Sequence, residues 1–178
     1  MSTITYISRN QFLFSKLYIF VYVRLNVERS ALNRYGLPVP RNLLDRVDRT
    51  SSPLHTGKLR NAIDFIVPEF TPVFAAANGI VTYVKDDSNI GGPNPIYQKY
   101  TNFITIMHAN GEYSRYDHLA PRSSKMCVGQ TVREGEEIAK VGMTGYTLIP
   151  HLHFHVFIFT GRNIWVDFDT LNVEDFVS

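Results

Sequence analysis

His151-Leu152-His153-Phe154-His155 constrains this chain more than any other stretch. Its histidines alternate with Leu152, Phe154, Val156 and Ile158, in an apolar run that continues to Phe159. Period-two alternation with bulky apolar partners marks a half-buried strand. Side chains on a strand point alternately to opposite faces, so the three imidazoles project from one side, about 6.5–7 Å apart. Neighbouring histidines at that spacing can serve one metal ion or one reaction centre. The plainer alternative is a polar strand face touching solvent.

The other histidines and an aspartate weigh against that alternative. His55 and Asp64 bracket a short segment that leads into an apolar, proline-punctuated run, and His118 ends the strand-like Tyr113–Leu119. Zinc accepts imidazole nitrogen and carboxylate oxygen, and a catalytic site takes three protein ligands and keeps one position open. Two histidines and one aspartate supply such a set and leave others for proton transfer. His108, at a strand-to-turn junction, is expected to be a surface histidine without a role. Cys127 is the chain's one cysteine, so no intrachain disulfide forms, and its setting before Val128-Gly129 suggests buried filler.

From Ala62 onward short strands follow one another: residues 63–67, 73–77, 79–85, 102–108, 112–119, 130–132, 137–141 and 152–159, most of them separated by Gly, Pro or Asn. This spacing predicts an all-β fold, a mainly antiparallel sheet or barrel-like domain with long loops. Residues 86–100, with Gly91-Gly92-Pro93-Asn94-Pro95, are too polar and breaker-rich for structure of their own and are expected to form a loop bordering the site. The predicted organisation is an N-terminal strand-like segment and linker (1–52), a domain (53–170) and a short tail (171–178). Within the first part, Phe12–Val23 is aromatic and β-branched but interrupted by Lys16, too short for a membrane-spanning helix and without a small-residue cleavage site. A docked strand is the first expectation there and an uncleaved anchor the second.

A chain of 178 residues with 44% apolar content can bury one substantial core. Eighteen basic and sixteen acidic residues are mixed along it, and no basic cluster interleaved with aromatics lies near the histidines, so a nucleic-acid partner is not expected.

Six blocks, in this order, resemble the lysostaphin-type or LytM-type zinc endopeptidases. They are Ala62-Ile-Asp64-Phe65, Pro68 to Ala76, Asn78 to Val81, Tyr116-Asp-His118-Leu119, Val128 to Gly135, and Gly142 to Gly145 continuing to Pro150-His151-Leu152-His153-Phe154. The resemblance covers about residues 53–168. It implies a groove with one zinc ion held by His55, Asp64 and His153, and two non-ligand catalytic histidines, His118 and His151. Arg60 stands where the first ligand usually does and stays protonated, which leaves His55 as the candidate. His155 stands where the family commonly has an acid, and it is a partner that orients a ligand from behind, a surface residue, or a rival ligand in place of His151 or alongside His153. Tyr116 either helps hold substrate or is a core aromatic.

The implied activity is hydrolysis of peptide bonds in peptidoglycan cross-bridges or stem peptides, by a monomer outside the cytoplasm and without a membrane span. The alternative is a catalytically inactive binding or activator module on the same fold. The presence of all five site residues favours the enzyme.

Overall fold

The computed structural model describes residues 29–52, 54–163 and 166–177. Its longest strand is the histidine strand. In chain order the strands are β1 (Tyr35–Gly36), β2 (Arg46–Asp48), β3 (Ile63–Ile66), β4 (Pro72–Phe74), β5 (Gly79–Lys85), β6 (Gly91–Gly92), β7 (Phe103–Met107), β8 (Tyr113–Asp117), β9 (Thr131–Val132), β10 (Glu137–Lys140), β11 (Gly145–Tyr146), β12 (His151–Phe159), β13 (Phe168–Leu171) and β14 (Phe176–Val177). The regular helical structure among the described residues is short 3-10 turns, and no helix there is long and apolar enough to cross a membrane.

β12 sits inside the main sheet because one face of it is all core. Leu152, Phe154 and Val156 are fully buried, and Phe154 packs edge-on against Tyr35, Phe65 and Tyr116. The sheet runs β2-β3-β12-β8-β7-β5-β9, and every pairing in it is antiparallel. β13 joins the far half of β12, beyond the end of β3. Among the described residues the sheet is open, since β2 and β9 pair there on one side only. The antiparallel pair β4–β10 adds Val73, Ile138 and Ala139 to the same continuous core as Ile104, Ile106 and Phe154.

All eight segments expected from alternation are strands. The linker expected within residues 1–52 belongs to the fold over its described residues 30–52. β2 extends the sheet beyond β3, and Tyr35 and Val39 are buried in the core. This segment is fixed by a buried carboxylate. Glu112 accepts from the Tyr35 hydroxyl at 2.8 Å, the Leu32 amide at 2.5 Å, and the Asn33 amide and Nδ2 at 3.2 and 2.7 Å. Burial, and then Glu112, push the Tyr35 hydroxyl far up, so it stays a donor.

Residues 86–100 also differ from expectation. β6 pairs in parallel with β11, and Pro95–Tyr100 form a 3-10 turn whose Asn94 Oδ1 accepts from the Ile96 amide. The close approach at β6 needs glycine, because a Cβ at Gly91 would lie 1.7 Å from the Met143 carbonyl. Cys127 is exposed and its neighbour Met126 takes the buried place, because Cys127 opens a turn whose amide donates to Gln130 Oε1. His108 is buried rather than at the surface, held between the Asn78 carbonyl and the Ser114 hydroxyl. The run Phe12–Val23 lies outside the described residues.

Candidate metal centre

The register of the sheet assembles the site. His153 on β12 faces Asp64 on β3 and Asp117 on β8, in one row across three strands. His55 arrives from outside the sheet, because the 3-10 turn Gly57–Leu59 folds the segment before Asp64 back on itself. His55 Nε2 then lies 3.2 Å, and His153 Nδ1 2.8 Å, from Asp64 Oδ1. One ligand atom from each of His55, Asp64 and His153 lies within 4.8 Å of the others, and all three residues are buried. His151 is the outlier, with Nε2 at 3.7 Å from the same oxygen.

These donor atoms call for a cation. A carbonyl only accepts, so the 3.1 Å contact of His55 Nδ1 with the Arg49 carbonyl places the ring proton on Nδ1. In the neutral ring the lone pair on Nε2 therefore meets a carboxylate, a pairing that needs a proton or a metal ion between. Burial alone would lower the His55 pKa, but contact with Asp64 outweighs it and raises it. Burial likewise disfavours ionised Asp64, yet His153 and His55 hold it well below the usual carboxylate range. Two imidazole nitrogens and an ionised carboxylate oxygen fit a zinc-type ion. The carbonyl behind His55 is the kind of outer partner that fixes a ligand's tautomer.

His118 and His151 are locked in the same tautomer. His118 Nδ1 donates to the Thr144 carbonyl at 2.8 Å and His151 Nδ1 to the Ile149 carbonyl at 2.9 Å. Their ring centroids are 4.7 Å apart, and both line the cavity beside Asp64 and His153. Burial, then the neighbouring histidines, push His118 down to about 4, and burial also lowers His151. Both rings are therefore neutral near pH 7, with Nε2 as the free acceptor. The Thr144 carbonyl is held by a tight turn at Gly145, whose φ of +82° and contact with Thr101 leave no room for a side chain.

Of the two readings of Tyr116, substrate holder or core aromatic, the structure has the core aromatic. It is fully buried, packs on Phe154, and its hydroxyl accepts from the Ala76 amide at 2.8 Å and from Ser114 Oγ at 3.1 Å. Strand β8 ends at Asp117, and His118 has φ +63°, so the left-handed turn swings its ring to the opposite face from Tyr116. Tyr116→Phe is expected to lower stability by about 1–3 kcal/mol, because the buried Ala76 amide loses its acceptor. Urea unfolding measures this, and unchanged stability would show that the Ala76 amide does not depend on this hydroxyl.

The groove has two lobes that share Leu54, His118, Tyr146 and His153. One, of about 250 Å³, is walled by Ile66, Leu148 and Ile149 and reaches Asp64 and His151. The other, of about 220 Å³, is polar and contains Arg115, Asp117 and His155. Asp117 was missed in the sequence. Its signal was alternation with Arg115, since residues 115, 117 and 155 fall on the face of His153.

Residues 58–164 match the profile described as peptidase family M23. The chain belongs to that family. The resemblance to lysostaphin-type and LytM-type peptidases therefore holds. The match begins just after His55, whose place at the centre rests on the geometry above.

The M23 domain is 40% identical over 101 residues to the DD-carboxypeptidase/endopeptidase Mpg of Neisseria meningitidis, covering 57% of this chain and 20% of that protein. It is 33% identical over 100 residues to the peptidoglycan DD-endopeptidase ShyA of Vibrio cholerae, covering 55% and 20%. The chain thus spans about a fifth of the length of these relatives. A zinc-containing peptidase from Vibrio cholerae has a similar structure, with TM-score 0.51 and 28% identity over 70% of this chain and 36% of that one.

Proposed function

We propose that this M23 domain is a zinc-dependent endopeptidase that hydrolyses peptide bonds of peptidoglycan, in cross-bridges or stem peptides. The convergence of His55 Nε2, His153 Nδ1 and Asp64 Oδ1, with two tautomer-locked histidines beside it, carries the reading. Relatives named as peptidoglycan endopeptidases support the substrate class. That substrate places the working protein outside the cytoplasm. The unit assigned to catalysis is residues 53–170.

His55, Asp64 and His153 would hold the zinc ion. When bound, zinc supplies Lewis acidity, which lowers the pKa of a water toward about 7 and polarises a carbonyl. The chain's own residues handle the protons. His151, neutral and free at Nε2, accepts the proton of the attacking water and returns it to the leaving amine. His118 in the same tautomer offers an acceptor, so it steadies the oxyanion or assists the amine only after taking up a proton itself. The apolar wall of Ile66, Leu148 and Ile149 seats the peptide beside these rings and limits water.

The test is digestion of purified peptidoglycan by the zinc-loaded chain, with mass spectrometry of the soluble products. New peptide termini should appear, vanish with a chelator and return with Zn2+. Intact peptidoglycan after incubation with fully loaded, folded protein would reject the reading in favour of a binding module.

A further inference from the structure

β12 carries a nitrogen donor that the centre at Asp64 does not use. His155 lies one same-face step beyond His153 and is 4% exposed, and its Nδ1 is buried with no hydrogen-bond partner among the described residues. A buried polar atom left unpaired disfavours the fold unless something occupies it. Its ring neighbours beside His153 are Phe157 and Phe168, neither of which has a hydrogen-bonding side-chain atom. Asp117 approaches from β8. One ligand atom each from Asp117, His153 and His155 lies within 4.8 Å of the others, and all three residues are buried.

Arg115 already pairs with Asp117. Its Nε donates to both carboxylate oxygens at 2.9 and 3.0 Å, and Nη2 lies 2.8 Å from Oδ1. A carboxylate has about four lone-pair sites, so these three contacts leave one, on Oδ2. The guanidinium rests on the Phe103 ring at 3.6 Å, which holds it on its own side of the carboxylate.

We propose that Asp117 and His155 hold a second borderline divalent ion such as Zn2+ beside the Asp64 centre, with His153 as the third ligand when that centre does not occupy it. Two imidazoles and a carboxylate suit such an ion. Sharing dictates how the sites fill. A neutral imidazole that ligates through Nδ1 keeps its proton on Nε2. With the Asp64 centre loaded, a second ion therefore holds Asp117, His155 and water alone. That ion binds in a separate, weaker step, weakened further by the charge of Arg115. Breaking the Asp64 centre frees His153 for the second set.

Zn2+ alone is the probe, applied to the full chain by equilibrium dialysis and elemental analysis. Wild type should saturate at two ions per chain in two resolvable steps. His155→Ala and Asp117→Asn should each lose the weaker step and keep the tighter one, which also reports that the variant is folded. His55→Ala should retain one ion, and adding His155→Ala should remove it. Anomalous scattering at the zinc edge should place the second ion beside His155. Saturation at one ion, a second step that survives both His155→Ala and Asp117→Asn, or a second ion located elsewhere would each overturn the site. No outcome depends on hydrolysis, so failure here leaves the peptidase reading standing, and failure of that reading leaves this site standing.

Discussion

His118→Ala and His151→Ala are expected to keep the tighter zinc ion and lose about 10²–10⁴-fold in peptidoglycan hydrolysis, the range that a positioned acid–base group contributes. Neither ring belongs to the three-atom cluster around Asp64 Oδ1, and His151 Nε2 stands 3.7 Å from that oxygen where the proposed ligands stand at 2.8 and 3.2 Å. Each ring is nonetheless held for proton transfer, with Nδ1–H committed to a carbonyl and Nε2 facing the cavity. Raising the pH should not rescue either variant fully. In His151→Ala a stronger nucleophile replaces the base but the leaving amine still lacks its proton donor, and in His118→Ala the group that steadies the oxyanion or assists the amine is still missing. The deciding comparison is zinc per chain against the rate of product release for each variant. If His151→Ala also loses the tighter zinc, His151 is a ligand and the division between ligands and proton carriers falls.

Much of this arrangement was legible in the sequence because its logic is period two. Alternation in His151–Phe159 fixed which residues of β12 face the core, and the burial of Leu152, Phe154 and Val156 follows from it. Alternation failed where the backbone left the strand. One residue with positive φ, His118, moved its own ring to the site face and left Tyr116 in the core. A left-handed histidine has no composition cue, whereas a glycine there would have marked the break.

The segment 30–52 was opaque for a different reason. Its anchors are two isolated side chains, Tyr35 and Val39, and a carboxylate about 80 residues away, Glu112, so no periodic pattern announces them. Asp117 and Arg115 are intermediate. The place where the resembled family commonly has an acid is held here by His155, and the carboxylate beside it comes instead from the next strand. Sequence alternation puts Asp117 on the right face, but only the pairing of β8 with β12 shows that it stands opposite His153.

Asp64→Ala and His153→Ala should have the most severe effects, and they should differ from each other. Asp64 Oδ1 is the atom on which His55 and His153 converge, and those rings hold its carboxyl well below the usual carboxylate range, so it is ionised near neutral pH. Removing it leaves two neutral nitrogens and no charge to hold a divalent cation. The tighter zinc should be lost, and hydrolysis should fall to background. Asp64→Asn should behave nearly as badly despite its matching shape, because a carboxamide lacks the charge that pairs with the cation. His153→Ala removes the residue common to both histidine–aspartate clusters, so it should abolish the tighter zinc and leave Asp117 and His155 without their third partner. Added Zn2+ should not restore hydrolysis to any of the three variants at concentrations that saturate wild type, because the missing donor is part of the site itself. Zinc content after dialysis, read beside product release, measures all of this. An Asp64→Asn variant that keeps its zinc and its turnover would show that the cation is held elsewhere.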